Sequence, residues 1–191
     1  MIITMSGVPC SGKSTIAKML AEKMGWRRES MGDIFKEMAG DMPLNKFYKE
    51  LENNPEKEKE CDLMQKEWGE KYDDFILDAR IAFHFVPREK SYNIFFDLPI
   101  DEAAKRAYNR GREGKGESFS DLEESKASIE ERMGIERTRY ESLYGINHLD
   151  KKNYDYIVDA DRPVEDIFSD LNIQIEKELE RRGESYKINT I

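Results

Sequence analysis

The chain has 191 residues, with 31 Lys plus Arg against 40 Asp plus Glu and a formal net charge of −9. That length suits one domain, and the acidic balance excludes a general nucleic-acid binder, because a long polyanion demands a basic footprint. Two cysteines and two histidines are too few for a disulfide framework or a metal cluster, and no apolar run is long enough to cross a bilayer. The first residues lack a secretion signal, so a cytoplasmic α/β protein without a membrane partner is expected.

Ile2–Ser6 reads as a first strand, and an amphipathic helix follows over Gly12–Met24. Between them lies Gly7-Val8-Pro9-Cys10-Ser11-Gly12-Lys13-Ser14-Thr15, which matches the P-loop pattern Gly-x4-Gly-Lys-[Ser/Thr] with strand before and helix after. The chemistry explains the spacing. Glycines let successive N–H groups converge on phosphate oxygens, and the helix start adds its positive dipole end. Lys13 then reaches the β- and γ-phosphates while the Ser14 hydroxyl ligates Mg²⁺. This segment predicts binding of a nucleoside triphosphate. Cys10 inside it reads as a small side chain filling a turn.

Further strands are predicted at Trp26–Ser30, Phe75–Asp78, Tyr92–Leu98 and Tyr154–Val158. Helices are predicted at Asp33–Met38, Leu44–Glu52, Glu56–Lys71, Ile100–Arg110, Leu122–Tyr140 and Val164–Arg182. Strands alternating with helices point to a mostly parallel sheet covered on both faces. The long stretch between Ser30 and Phe75 predicts a helical insertion, and Gly111–Asp121, with three glycines, a mobile surface loop. Residues Gly183–Ile191 read as a frayed tail. Asp78, at the carboxyl end of a strand beside the P-loop, is a magnesium candidate, directly or through water.

The arginines narrow the chemistry. Arg80 stands two residues beyond Asp78, Arg106 and Arg110 lie one turn apart, and Arg132, Glu136 and Arg139 share one helix face. Transfer between two phosphate-bearing molecules crowds several negative charges into one crevice. Arginines suit it because their planar forks stay charged and bind oxygens in pairs. A mobile segment that closes over the site also keeps water from competing. Tyr140 and Tyr144 read as core packing, and His84 and His148 as satisfied or surface residues.

In these motifs and their order, the chain resembles nucleoside monophosphate kinases, and among them most closely the short archaeal-type cytidylate kinases. The matching residues are the strand entering the P-loop, Gly32-Asp33-Ile34-Phe35, Asp78-x-Arg80, Arg106-x3-Arg110, Glu136-Arg137-x-Arg139-Tyr140 and Tyr144-Gly145-Ile146. The resemblance implies a P-loop NTPase fold in one kinase domain over 1–191. Its five-stranded parallel sheet would be flanked by helices, with an NMP-binding insertion about 31–71 and a lid about 111–131. It implies ATP and Mg²⁺ as cofactors, γ-phosphoryl transfer to CMP or dCMP, small-molecule nucleotide partners and a monomer.

Carried onto this chain, the resemblance makes Lys13, Arg80, Arg132 and Arg139 catalytic. Gly7, Cys10, Ser11, Gly12, Lys13, Ser14, Thr15, Arg106, Arg110 and Asp161 would bind ATP, Asp161 from a loop similar to the adenine-binding one. Gly32, Asp33, Lys36, Arg80, Glu136 and Arg139 would bind the monophosphate, and Ser14 and Asp78 the metal. Departures from the pattern are Cys10 and Ala79 for glycine, Lys36 for arginine, Met31 for a small residue and Ile81 for a base-reading acid. The base-reading pocket is therefore not legible. Adenylate-type or shikimate-type kinases, and a non-catalytic ATP-binding module, are the alternatives.

Overall fold

The computed structural model describes residues 1–42, 44–52, 54–114 and 117–184. Its strands are β1 (Ile2–Gly7), β2 (Arg27–Ser30), β3 (Phe75–Asp78), β4 (Ser91–Asp97) and β5 (Tyr156–Asp159). Its helices are α1 (Lys13–Met24), α2 (Met31–Ala39), α3 (Leu44–Glu52), α4 (Pro55–Lys71), α5 (Ala82–Phe85), α6 (Ile100–Arg112), α7 (Leu122–Tyr144) and α8 (Val164–Arg182). The strands form one sheet in the order β2-β3-β1-β4-β5, and every pair is parallel. This is the expected five-stranded α/β architecture.

The central position of β1 follows from its residues. Covered on both faces, it is buried along its whole length: Ile2, Ile3 and Met5 are apolar, and the buried hydroxyls of Thr4 and Ser6 donate to Asn93 Oδ1 and the Arg80 carbonyl oxygen. One face meets α1, whose buried Ile16, Ala17, Leu20, Ala21 and Met24 recur at helical spacing, together with α8 through Ile167, Leu171, Ile175 and Leu179. The other face holds a second core, in which Ile2, Phe75 and Leu77 pack with Phe35, Phe47, Tyr48 and Leu51 of the helices between β2 and β3. Because parallel strands all end at one edge, β1 and β3 deliver Gly7 and Asp78 to the same crevice.

The structure corrects several boundaries. β5 begins at Tyr156, not Tyr154, because a 3₁₀ turn over Lys151–Asn153 precedes it and the Tyr154 ring turns inward against Phe95 at 4.9 Å. Helix α2 starts at Met31 because the Ser30 hydroxyl caps it, accepting from the Asp33 N–H at 3.2 Å. Helix α7 runs to Tyr144 and stops where Gly145 takes a left-handed conformation, φ 67°. The short α5 has no sequence counterpart. The loop expected from Gly111 starts only after Arg112, and its residues 115 and 116 lie outside the described residues. Of the expected tail, 185–191 also lie outside them, whereas Glu184 pairs with the amino terminus at 2.8 Å.

Candidate active site

The P-loop leaves β1 at Gly7, whose carbonyl oxygen accepts from Arg80 Nη1 at 2.6 Å. A Cβ at Gly7 would stand 2.5 Å from the Phe96 carbonyl oxygen, so the pairing of β1 with β4 admits no side chain there. At the other end Gly12 has φ 82° and opens α1 without a side-chain cap, leaving the first-turn N–H groups to a ligand. Between them Cys10 also takes positive φ, 61°, a region that costs an ordinary residue free energy. Cys10→Gly is expected to stabilise the protein by about 0.5–1 kcal/mol, read as a higher urea midpoint.

Lys13 Nζ meets the carboxylate of Asp78, which is almost fully buried at the end of β3. The second Asp78 oxygen accepts from Arg28 Nη2 at 2.7 Å, and Arg28 also reaches Asp33 at 3.0 Å. Burial, and after it the positive charge of Arg80, Arg28 and Arg132, pulls Lys13 well below the usual lysine range. An anion beside it favours its charged form. Asp78 supplies that anion without ligand, and phosphates are the natural replacement.

A second network is centred on Glu136 of α7, which is buried. One oxygen accepts from Arg132 Nε at 3.0 Å, the other lies 3.1 Å from Arg80 Nε, and His148 Nε2 is 3.8 Å away. Burial opposes the charge on Glu136, yet Arg80, Arg132, His148 and Arg139 outweigh it and hold the carboxyl down to about 2. Burial drives His148 the other way, to about 4, so it stays neutral near neutral pH. Arg132 Nη2 donates to the Tyr48 hydroxyl at 3.2 Å, which joins α7 to α3. One carboxylate thus holds two guanidinium groups from different segments at fixed positions.

Both networks line one cleft of about 590 Å³. Of the predicted residues, Cys10, Ser11, Gly12, Lys13, Ser14, Thr15, Gly32, Asp33, Lys36, Asp78, Arg80, Arg110, Arg132 and Glu136 stand on its wall. Others do not. Arg139 is buried behind it, its guanidinium 5.5 Å from the Tyr48 ring centre and 4.9 Å from that of Tyr140. Arg106 donates to the Ala160 carbonyl oxygen at 2.9 Å and pairs with Asp161 at 3.6 Å, so these two meet each other beside the cleft. Glu136, expected to bind the monophosphate, spends both oxygens on arginines. Tyr140 is buried as expected but also lines the cleft, and His148 is a core residue.

Sequence reasoning missed Arg28, Tyr48, Asp62 and Gln65. A signal for the last two existed. Cys61, Asp62, Gln65 and Gly69 are all buried on α4, so two polar residues occupy an inward-facing stripe at i, i+3 spacing.

The AAA domain family pattern matches residues 3–131. A cytidylate kinase of Methanopyrus kandleri is 35% identical over 94% of this chain and 95% of its own length. Another, of Methanocaldococcus jannaschii, is 33% identical over 88% of this chain and 94% of its own. In fold the chain is similar to shikimate kinase from Aquifex aeolicus, with a TM-score of 0.59 and 18% identity over 93% of this chain and 98% of that one.

Proposed function

Since this chain belongs to the nucleoside monophosphate kinase family, among the relatives of the archaeal cytidylate kinases, and is an ATP-dependent phosphotransferase, we propose that its acceptor is CMP or dCMP, converted to CDP or dCDP. The observation that carries the reading is the pair Arg80 and Arg132, fixed by Glu136 on the cleft the P-loop lines. A non-catalytic ATP-binding module has no use for guanidinium groups on the acceptor side. Protein–ligand chemistry here is electrostatic, since a transferring phosphoryl group needs charge neutralisation and alignment more than covalent help.

Each residue then has a task. The uncapped start of α1 and the loop backbone cradle the donor phosphates, and Lys13 leaves Asp78 to follow the charge on the moving group. Arg80 uses Nε for Glu136 and Nη1 for Gly7, which leaves Nη2 for an acceptor phosphate oxygen. Arg132 uses Nε for Glu136 and Nη2 for Tyr48, which leaves Nη1 to bridge both phosphates. Arg139, one layer back, adds positive potential and stiffens Tyr48. Glu117, Phe119 and Ile129 cover the cleft from the lid side, and Lys49 of α3 reaches Glu131 of α7 at 3.1 Å; the two sides already touch, which limits water.

The residues fit a magnesium ion delivered with ATP. Ser14 and Asp78 line the cleft, while among the described residues no group of three or more His, Cys, Asp or Glu converges into a protein cage. Magnesium ordinarily takes one or two protein ligands, waters and phosphate oxygens. It would supply charge neutralisation on the donor phosphates.

Arg132→Ala is expected to lower kcat by about 10²-fold with ATP affinity nearly unchanged, measured by coupled ADP release and calorimetry. Unchanged turnover would contradict its place between the phosphates. The acceptor is tested with ATP, Mg²⁺ and a panel of CMP, dCMP, UMP, AMP and shikimate. CMP or dCMP should lead in kcat/KM, and a strong preference for AMP or shikimate overturns the assignment.

A further inference from the structure

We propose that Gln65 of α4 reads the acceptor base by accepting a hydrogen bond from its exocyclic amino group, with Asp62 as the positioning residue that turns the amide the right way. The inference rests on the reading of this cleft as a nucleoside monophosphate site. It adds the atom that separates one pyrimidine from the other.

Gln65 is only 1% exposed and lines the cleft. Its Nε2 donates to Asp62 Oδ1 at 2.9 Å, and the Tyr144 hydroxyl donates to Asp62 Oδ2 at 2.7 Å. Burial pushes Asp62 up to about 6, against these two hydrogen bonds and the charge of Arg139, so at neutral pH it is mostly a carboxylate that only accepts. An acceptor on that side fixes the orientation of the amide: nitrogen toward Asp62, oxygen away. Gln65 Oε1 is left buried with no hydrogen-bond partner among the described residues. A buried carbonyl oxygen without a donor is costly. Because Gln65 lines the cleft, a ligand seated there can supply the missing donor after a small turn of the amide.

The other walls suit a flat ring. Met31, Phe35 and Ile81 are buried apolar residues of the same cleft, the surroundings in which a few polar groups decide orientation. A lone acceptor selects bases by what they bear. The amino group of cytosine donates to it, whereas the O4 of uracil places oxygen against oxygen. Rejection comes from leaving two acceptors face to face.

The test compares CMP and UMP at saturating ATP and Mg²⁺. The parent protein should prefer CMP, and Gln65→Leu should lower kcat/KM for CMP by about 10–10²-fold and raise that for UMP, whose O4 no longer faces an oxygen, so that the ratio falls toward one. Asp62→Asn provides a second measurement. Its amide can donate to Gln65 Oε1, which turns Gln65 Nε2 into the cleft as a donor, so the preference should shift toward UMP. A loss shared equally by CMP and UMP in both variants, or a parent ratio near one, would overturn this assignment while leaving nucleotide phosphorylation intact. If the parent phosphorylates neither nucleotide, the reading of the cleft as a pyrimidine monophosphate site fails instead.

Discussion

Lys13→Ala is expected to lower kcat for phosphoryl transfer by about 10³-fold and to leave the fold in place. The loss follows from where the ammonium sits. Burial and the surrounding arginines pull Lys13 well below the usual lysine range, and its amino group lies against the Asp78 carboxylate. Phosphates arriving from ATP can replace that carboxylate, so the cation is pre-positioned where negative charge develops. The fold survives because Asp78 retains Arg28 at 2.7 Å and is not left as an uncompensated buried charge. Single-turnover ADP formation and a thermal melt measure the two halves. Turnover within tenfold of the parent, in a folded variant, would remove Lys13 from the transferring phosphate.

Glu136→Gln is expected to have the largest effect on stability, about 3–5 kcal/mol. For a chain of this size that corresponds to a fall in Tm of about 6–20 °C. Arg80 and Arg132 would lose their shared buried anion, and the amide cannot replace it, because its nitrogen offers protons to groups that are themselves donors. Both guanidinium groups should then shift, and kcat should fall by a further 10–10²-fold relative to what the melt alone explains.

The pH dependence has a definite sign. The carboxyl of Glu136 is depressed in the folded protein, to about 2 from an ordinary 4.5. Its contribution is therefore fully present above about pH 5 and is lost as pH falls toward 2. Urea melts of parent and Glu136→Gln should converge across that window. Curves that stay parallel down to pH 3 would mean that the Glu136 charge does not hold the arginines.

Much of the candidate site was readable from local chemistry. Strand, glycine turn and helix are consecutive, so Gly7, Gly12, Lys13 and Ser14 could be assigned from spacing alone. Arg80 was equally accessible, since its distance from Asp78 at the end of β3 sets where it emerges. The shifts in element boundaries have local causes that a periodicity argument does not weigh: a serine cap before α2, a 3₁₀ turn before β5. Roles that depend on which helices face one another were less accessible. Glu136 lies at i+4 from Arg132, a spacing that describes a solvated ion pair as readily as a buried one. Its second partner, Arg80, is 56 positions away in sequence.

The sequence by itself determined the parallel α/β sheet, the phosphate-binding turn and the residues that must bear positive charge, because each depends on hydrophobic period or on spacing within a few residues. Tertiary structure alone decided that Glu136 serves two arginines, that Arg139 stands behind Tyr48, and that the buried carbonyl oxygen of Gln65, a residue on the cleft wall, is left without a partner among the described residues. Those outcomes depend on burial, which converts ordinary polar side chains into fixed charges and oriented acceptors only when segments far apart in the chain exclude water from the same place.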